Sequence, residues 1–214
     1  MKQLTRAYHL AEAANWPMIQ RDGLLSASAL FDTAEISGIE REQLERQQRL
    51  THTRLPNGVQ IRDQRPMPPK ALAACLVGMS PSEWYELINS RVFFWLDPAR
   101  LNRQRTACEP RPQVVVTVDV EKLATAYIEH IALTPINTGN ARRLPAKRGA
   151  ASFVPYTAWL ASGWASEAAA LDTRVRPHSH QPVELTVARS IPDVMQFVIG
   201  VQELTPGQLF TPSR

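Results

Sequence analysis

Arg6-Ala7-Tyr8-His9-Leu10, followed by Asn15, Ile19 and Gly23-Leu24-Leu25, is the stretch on which the reading of this chain turns. It sets a histidine at the end of a short strand-like segment. Helical apolar spacing follows at once over Ala11 to Arg21, with Trp16 and Ile19 on one side and Pro17 tolerable only near the first turn. Gly23-Leu24-Leu25 closes that helix. A histidine held between a strand and a helix start can direct a ring nitrogen into a cleft, so its placement suggests a ligand contact.

Outward from this stretch, the first hundred residues read as helices with isolated strands. Ser26 to Phe31 is a short helix, and the polar run Gly38 to Leu50 is a solvent-facing helix or a mobile excursion. Gly58-Val59-Gln60-Ile61-Arg62 is a strand after the Pro56-Asn57-Gly58 turn. Pro68-Pro69 starts a helix through Leu76. Ser80-Pro81-Ser82-Glu83 starts another through Ile88, with Ser80 as N-cap, Pro81 at N1 and Glu83 completing a capping box. Arg91 to Trp95 is an apolar strand, and Asp97-Pro98 caps a helix to about Arg105.

The second half is richer in strands. Gln113 to Val118 is β-branched and nearly all apolar, so it is a central strand covered on both faces. Glu121 to Glu129 is helical, Ile131 to Leu133 extended, and Asn137 to Gly149 a loop without periodicity. Phe153-Val154 is a brief strand and Tyr156 to Leu171 one helix; Val183 to Val187 and Gln196 to Val201 are the last strands. The pattern predicts one α+β domain over residues 1–214, with no internal repeat.

Composition fits that reading. The chain has 214 residues, 44% of them hydrophobic and 21% charged, enough to bury a core and too apolar for wholesale disorder. No apolar run approaches the roughly 18 residues needed to span a bilayer, and no signal-peptide pattern opens the chain, so a cytoplasmic protein is expected. Cys75 and Cys108 form neither a CxxC pair nor a disulfide framework and read as reduced packing residues. His178-Ser179-His180 would share one strand face, but no further ligand completes a metal site and Pro177 points to a loop. The net charge is +4, with arginines clustered at Arg100, Arg103, Arg105 and Arg111, and again with Lys147 at Arg142, Arg143 and Arg148. Such patches attract phosphate backbones, or simply keep the surface soluble.

Four places set polar groups in strand-like surroundings: His9, Arg62 to Met67, Arg91 to Trp95, and Glu184. Val183, Leu185 and Val187 alternate with Glu184 and Thr186, so the latter two share the opposite face. If that face lines a cleft, Glu184 is a carboxylate on a rigid strand, which suits catalysis; otherwise it is the wet face of an ordinary strand. Arg62 ends its strand in Arg-Asp-Gln-Arg, where an arginine can fork onto a pyrophosphate or join a surface ion-pair network with Asp63 and Arg65. Phe93-Phe94-Trp95 can stack a planar ring or be core. Asn137-Thr138-Gly139-Asn140 is a turn with exposed amides. No Walker loop, GxGxxG, HExxH or GxSxG occurs.

The order of these places resembles a known family. Tyr8-His9 with Asn15, Ile19 and Gly23-Leu24 is similar to the opening of the DarT-type ADP-ribosyltransferases, bacterial toxins that modify single-stranded DNA. In that family a Tyr-His dipeptide precedes a helix containing an Asn. A downstream arginine, a Phe-rich strand and a late strand glutamate follow; here these correspond to Arg62, Phe93-Phe94 and Glu184. Arg54 is the other candidate for the arginine, and Arg62 is preferred because it ends a strand. The threonine usual two residues after the histidine is Ala11 here. The whole chain looks like an uncharacterised bacterial family bearing Arg-Asp-Gln-Arg-Pro-Met, Asn-Ser-Arg-Val-Phe-Phe-Trp and Asn-Thr-Gly-Asn, a distant relative of DarT.

The resemblance implies split antiparallel β-sheets with surrounding helices, and NAD as the substrate bound between them. It implies an NAD-dependent ADP-ribosyltransferase of the glycosyltransferase class, toxin-like and acting on DNA or another nucleic acid. An antitoxin would be a further partner. Breaking the nicotinamide–ribose bond builds positive charge on the sugar, as in glycoside cleavage. Glu184 would stabilise that oxocarbenium, and Arg62 would hold phosphate or assist proton removal. His9 would hydrogen-bond the ribose and Phe93 or Phe94 would stack on nicotinamide; Asn15 and Arg65 complete the expected NAD contacts. The Arg142 to Arg148 loop is a candidate substrate contact. Two other functions fit the same residues: an NAD-binding glycohydrolase or degenerate sensor, and a non-enzymatic basic module that binds nucleic acid.

Overall fold

Gln113–Asp119 is a strand buried at every position but its last, as its run of β-branched residues predicts. It belongs to a computed structural model that describes residues 4–142, 145–177 and 179–212. The strands in chain order are β1 (Arg6–Glu12), β2 (Thr53–Arg54), β3 (Gln60–Ile61), β4 (Arg91–Trp95), β5 (Gln113–Asp119), β6 (Ile131–Thr134), β7 (Val154–Pro155), β8 (Glu184–Ala188) and β9 (Val198–Leu204). The helices are α1 (Trp16–Asp22), α2 (Ala27–Thr33), α3 (Gly38–Arg46), α4 (Pro69–Ala73), α5 (Pro81–Asn89), α6 (Pro98–Ala107), α7 (Val120–Tyr127), α8 (Tyr156–Ser162) and α9 (Ala165–Leu171). Helices and an antiparallel sheet are mixed, so the fold is α+β.

The main sheet runs β7-β6-β8-β4-β1-β5-β9, and β2-β3 form a separate ribbon. Each pairing is antiparallel, but the pairings are unequal in length. β1 pairs with β5 along all seven of its residues, and β4 pairs with β8 along all five of its own. β1 meets β4 only at Tyr8↔Trp95. The sheet is therefore two antiparallel halves, β1-β5-β9 and β4-β8-β6-β7, hydrogen-bonded to each other at one point and splayed beyond it. The expected α+β class is met, but the two halves remain one seven-stranded sheet rather than two separate ones.

Side-chain alternation assigns the faces. Ala7, Ala11, Val114, Val116, Leu133, Leu185 and Val187 share a core with Ile19 of α1, Leu123 of α7 and Trp159 of α8. Tyr8, Leu10 and Val115, one residue out of phase, pack instead with Leu101 of α6 and Phe210. On the other half of the sheet, Phe93 and Ala132 pack with Trp84, Tyr85 and Ile88 of α5. One face thus carries a continuous core, and the other carries two clusters. Val114, Val116 and Val118 are wholly buried, each worth roughly 1.5–3 kcal/mol on transfer from water.

Local signals place the helices. Ser26 Oγ accepts from Ala29 N at 3.2 Å, and Ser80 and Glu83 form the expected capping box. Asp97 and Asp119 cap α6 and α7. Pro17 sits in the first turn of α1. Gly23 has φ 83°, and a Cβ there would stand 2.3 Å from Ile191 O. That close approach lets Leu24 and Ile191 exchange backbone bonds of 3.0 and 2.7 Å, fastening the end of α1 to the loop between β8 and β9.

Several boundaries differ from the sequence expectation, three of them for reasons visible in the fold. Ala11 and Glu12 belong to β1, because they pair with Val114 and Gln113, and a 3-10 turn over Ala13–Asn15 precedes α1. The helix expected over Tyr156 to Leu171 is two helices, broken at Gly163 with φ 61°. The last strand begins at Val198 because Val194–Gln196 makes a 3-10 turn.

Candidate functional site

Where β1 and β4 part, the carbonyl of Phe93 on the β1 side lacks a ladder partner. The His9 side chain supplies one: Nδ1 lies 2.8 Å from Phe93 O. A carbonyl only accepts, so Nδ1 carries the ring hydrogen and Nε2 keeps its lone pair. Burial pushes the His9 pKa down to about 4, and the nearby Arg62 charge adds to this against the Phe93 bond. The imidazole is therefore neutral at physiological pH, with one acceptor nitrogen free. The edge of its ring rests on Phe94, centroids 5.6 Å apart.

The wedge between the two halves opens into a cleft of about 520 Å³, a size suited to a nucleotide-sized ligand. His9, Asn15, Arg62, Phe93, Phe94 and Glu184 all line it. Phe93 and Phe94 point to opposite faces. Phe94 is buried in the continuous core and supports the His9 ring, whereas Phe93 is half-buried and offers a flat surface. Met18, Leu24, Leu25, Ala27 and Leu30 make one apolar wall. Among the described residues the charged lining is Arg49, Arg62, Arg91, Arg100 and Arg103 against Glu12 and Glu184, so the cleft favours anions. Burial lowers Arg49 and Arg91 to about 10, still charged at neutral pH.

Glu184 opens β8 opposite Trp95 on one side and Thr134 on the other. The residue is 4% exposed. Oε2 accepts from Thr138 N at 3.2 Å and Thr138 Oγ1 at 2.8 Å, and Thr134 Oγ1 lies 2.9 Å away. Thr134 Oγ1 is also 2.8 Å from Ile136 O, and its one hydrogen serves one of these acceptors at a time. Oε1 has no hydrogen-bond partner among the described residues, which leaves it for the cleft. Burial raises the Glu184 pKa to about 7, against the pull of the two threonines and Arg148. A carboxyl poised there can be a charge or hold a proton at neutral pH.

Arg62 is fixed at the other flank. Its Nη2 donates to Leu10 O at 2.7 Å and its Nε to Glu12 Oε1 at 3.3 Å. Glu12 is 3% exposed and also receives Arg111 Nε at 3.3 Å and Gln113 Nε2 at 3.2 Å, with His52 Nε2 at 3.9 Å. Arg62 thus faces the cleft already oriented. Arg54, the other arginine considered, is exposed on β2 and is not part of the lining. Asn15 lines the cleft, but its amide bonds both backbone groups of Gln60, at 2.7 and 2.9 Å, tying β3 to the end of β1. Arg65 stands apart: it is exposed, outside the lining, and donates to Leu50 O at 2.7 Å.

The family model described as a family of unknown function (DUF7002) matches residues 5–198. The chain belongs to that family. No curated protein matches it. The matched segment contains every residue that lines the cleft, from His9 to Glu184.

Several sequence expectations are redrawn by the packing. The Arg142 to Arg148 loop is not one basic surface, because Arg148 is 2% exposed. Arg142 donates to Arg65 O at 3.2 Å, Lys147 lies 3.1 Å from Asp172 O, and Arg143 falls outside the described residues. The cations that reach the cleft rim are Arg100 and Arg103 on α6, while Arg105 is buried against Thr205 O and Glu109. Cys75 and Cys108 are free and buried. His178 lies outside the described residues, and His180 Nε2 is 2.9 Å from Pro135 O. Among the described residues no cluster of His, Cys, Asp and Glu fits a metal, and no helix is long and apolar enough to cross a membrane.

Sequence reasoning passed over Glu12 and Thr134, and named Thr138 only within an exposed turn and Arg148 only within a basic loop. For Glu12 a signal existed: with Tyr8 and Leu10 it continues the strand alternation past His9.

Proposed function

We propose that this protein is an NAD-dependent ADP-ribosyltransferase that uses the split-sheet cleft to cleave the nicotinamide–ribose bond and pass ADP-ribose to a nucleic acid. The observation that carries the reading is the convergence of His9 and Glu184 on one cleft. They come from opposite halves of the sheet, His9 fixed by donating to the Phe93 carbonyl and Glu184 by threonine donors, and are joined by Phe93 and a set of arginines.

Each part has a task in that chemistry. The nicotinamide ring lies on Phe93, and His9 Nε2 accepts a ribose hydroxyl, which a neutral imidazole with a filled Nδ1–H bond can do. Arg62 holds the pyrophosphate through the guanidinium hydrogens not given to Leu10 and Glu12. Nicotinamide departs with the bonding electron pair, and the ribose carbon becomes cationic. Glu184 Oε1, ionised, stabilises that cation at short range in a site partly shielded from water. An acceptor nitrogen or oxygen then gives its lone pair to the ribose carbon and its proton to Glu184, whose pKa suits a base near neutrality. The excess of arginine over carboxylate around the mouth supports an anionic acceptor such as nucleic acid.

The test is incubation of the purified protein with NAD labelled in the nicotinamide and, separately, in the adenylate, with single-stranded oligonucleotides present. Released nicotinamide together with adenylate label on the oligonucleotide is the expected result. Nicotinamide release without transfer would make the protein a glycohydrolase. The absence of both nicotinamide release and thermal stabilisation by NAD would overturn the reading, since a native-state ligand must raise the melting temperature.

A further inference from the structure

Glu184 does not hold its position alone. Two of the three groups that bond Oε2, N and Oγ1, belong to Thr138, a residue of the turn between β6 and β7; the third is Thr134 Oγ1. The carbonyl of Thr138 accepts from Arg148 Nη1 at 3.2 Å. Arg148 itself is clamped. Its N donates to Cys75 O at 2.9 Å, its carbonyl accepts from Val77 N at 2.8 Å, and its guanidinium carbon lies 5.9 Å over the Trp84 ring. The next residue, Gly149, leaves no space, since a Cβ there would be 2.5 Å from Val77 O. A buried cation is expensive unless it serves a partner, and surface solubility cannot account for it.

We propose that Arg148 is the positioning residue of this site. Its guanidinium fixes the Thr138 turn on Glu184 and supplies the positive charge that favours the ionised carboxylate. The proposal rests on the reading of the cleft as an NAD-cleaving site, and Arg148 acts on that chemistry only through Glu184. The groups around the carboxyl are Thr134 on β6, Thr138 in the turn and Trp95 on β4, all uncharged. His180 is turned to Pro135 O, and Arg91, four residues along β4 from Trp95, is bonded to Thr186 Oγ1 at 2.9 Å. Cys75 meets Arg148 rather than Glu184, and burial pushes its thiol up, so it is neutral. Arg148 is the one charged group among the described residues found to act on Glu184.

The full chain with Arg148→Met or Arg148→Lys tests this by nicotinamide release between pH 5.5 and 9.5. In the native protein kcat rises with pH about a midpoint near 7, the Glu184 value. Arg148→Met moves that midpoint up by about one unit, the size of a lost nearby opposite charge. Its kcat at pH 7 falls several-fold and recovers toward pH 9, while the KM for NAD stays unchanged. Arg148→Lys keeps the charge and loses the fork onto Thr138, so its midpoint stays in place while kcat falls at every pH. A folded Arg148→Met with an unmoved midpoint overturns the proposal. If the Met variant does not fold, an upward shift in Arg148→Lys overturns it instead. If the native protein releases no nicotinamide, the NAD reading has failed, and the Glu184 midpoint is then read from unfolding free energies. Each Arg148 variant is compared with and without Glu184→Gln across the same pH range, and the same shifts decide.

Discussion

Glu184→Gln should make the protein more stable at alkaline pH, and the amount follows from the burial of one carboxyl. The folded-state pKa is about 7 against an ordinary 4.5. Between those values the native state holds a proton that the unfolded chain has lost. Stability therefore falls as pH rises from about 4.5, and the loss is complete above about 7. The full difference corresponds to roughly 3 kcal/mol, at about 1.4 kcal/mol per pKa unit. Glutamine is neutral at every pH and keeps the carboxamide oxygen as an acceptor for Thr138 N and Oγ1. Relative to the native protein, the variant should gain about 2 kcal/mol between pH 5.5 and pH 8.5. Urea denaturation of both proteins at the two pH values measures this, and taking the difference between them cancels titrating groups that do not couple to Glu184. A gain of that size is a shift of roughly 4–8 °C in melting temperature. The same variant should lose at least a hundredfold in nicotinamide release, because removing a preorganised charge partner costs about 2.7–4 kcal/mol in the transition state. A variant whose relative stability does not change with pH would show that the carboxyl is not held near neutrality, and the argument from burial would be wrong.

Other perturbations probe the frame around the carboxyl. His9→Ala leaves the Phe93 carbonyl without its 2.8 Å donor; a loss of about 1–2 kcal/mol by urea denaturation and a much smaller NAD-induced thermal shift are expected. Glu12→Gln removes a buried negative charge from between Arg62 and Arg111. Both cations keep some solvent, so the cost should lie near roughly 3 kcal/mol, with a raised KM for NAD as Arg62 loosens. Gly23→Ala forces a Cβ against Ile191 O and strains a backbone at φ 83°; a destabilisation of more than about 1 kcal/mol is expected, and a neutral result in thermal melts would contradict the close approach at the end of α1.

The strands were legible where composition leaves one option. Gln113 to Val118 is too β-branched for a helix, and the alternation around Glu184 gave both the strand and the face the carboxyl uses. The end of β1 was not legible. The 3.6-residue spacing of Trp16 and Ile19 begins close behind His9, and only pairing with Val114 and Gln113 shows that Ala11 and Glu12 are still strand. The fold's long-range pairing overrode the local pattern there, and Glu12 was lost with it. Arg148 was hidden for a different reason. A loop without periodicity gives no direction to its side chains, so a buried guanidinium and a surface cation read alike in sequence. Asn15 shows the converse: the family resemblance suggested a ligand contact, whereas its amide is already bonded to the backbone of Gln60.

The split in the sheet explains why these polar residues cluster at all. Two strands that part after one residue pair leave backbone groups without ladder partners, and such groups must be satisfied or wetted. His9 bonds Phe93 O and Arg62 bonds Leu10 O. Each of these side chains closes the open edge of the wedge, and each leaves at least one further polar hydrogen or lone pair beyond that bond. Satisfying the backbone and building a binding surface are thus one requirement met by the same residues. Glu184 is the exception, since its carboxyl repairs no ladder and destabilises the fold above neutrality. A buried acid that costs the fold stability as it ionises, held by two threonines in the same cleft, fits a site shaped for chemistry rather than for stability.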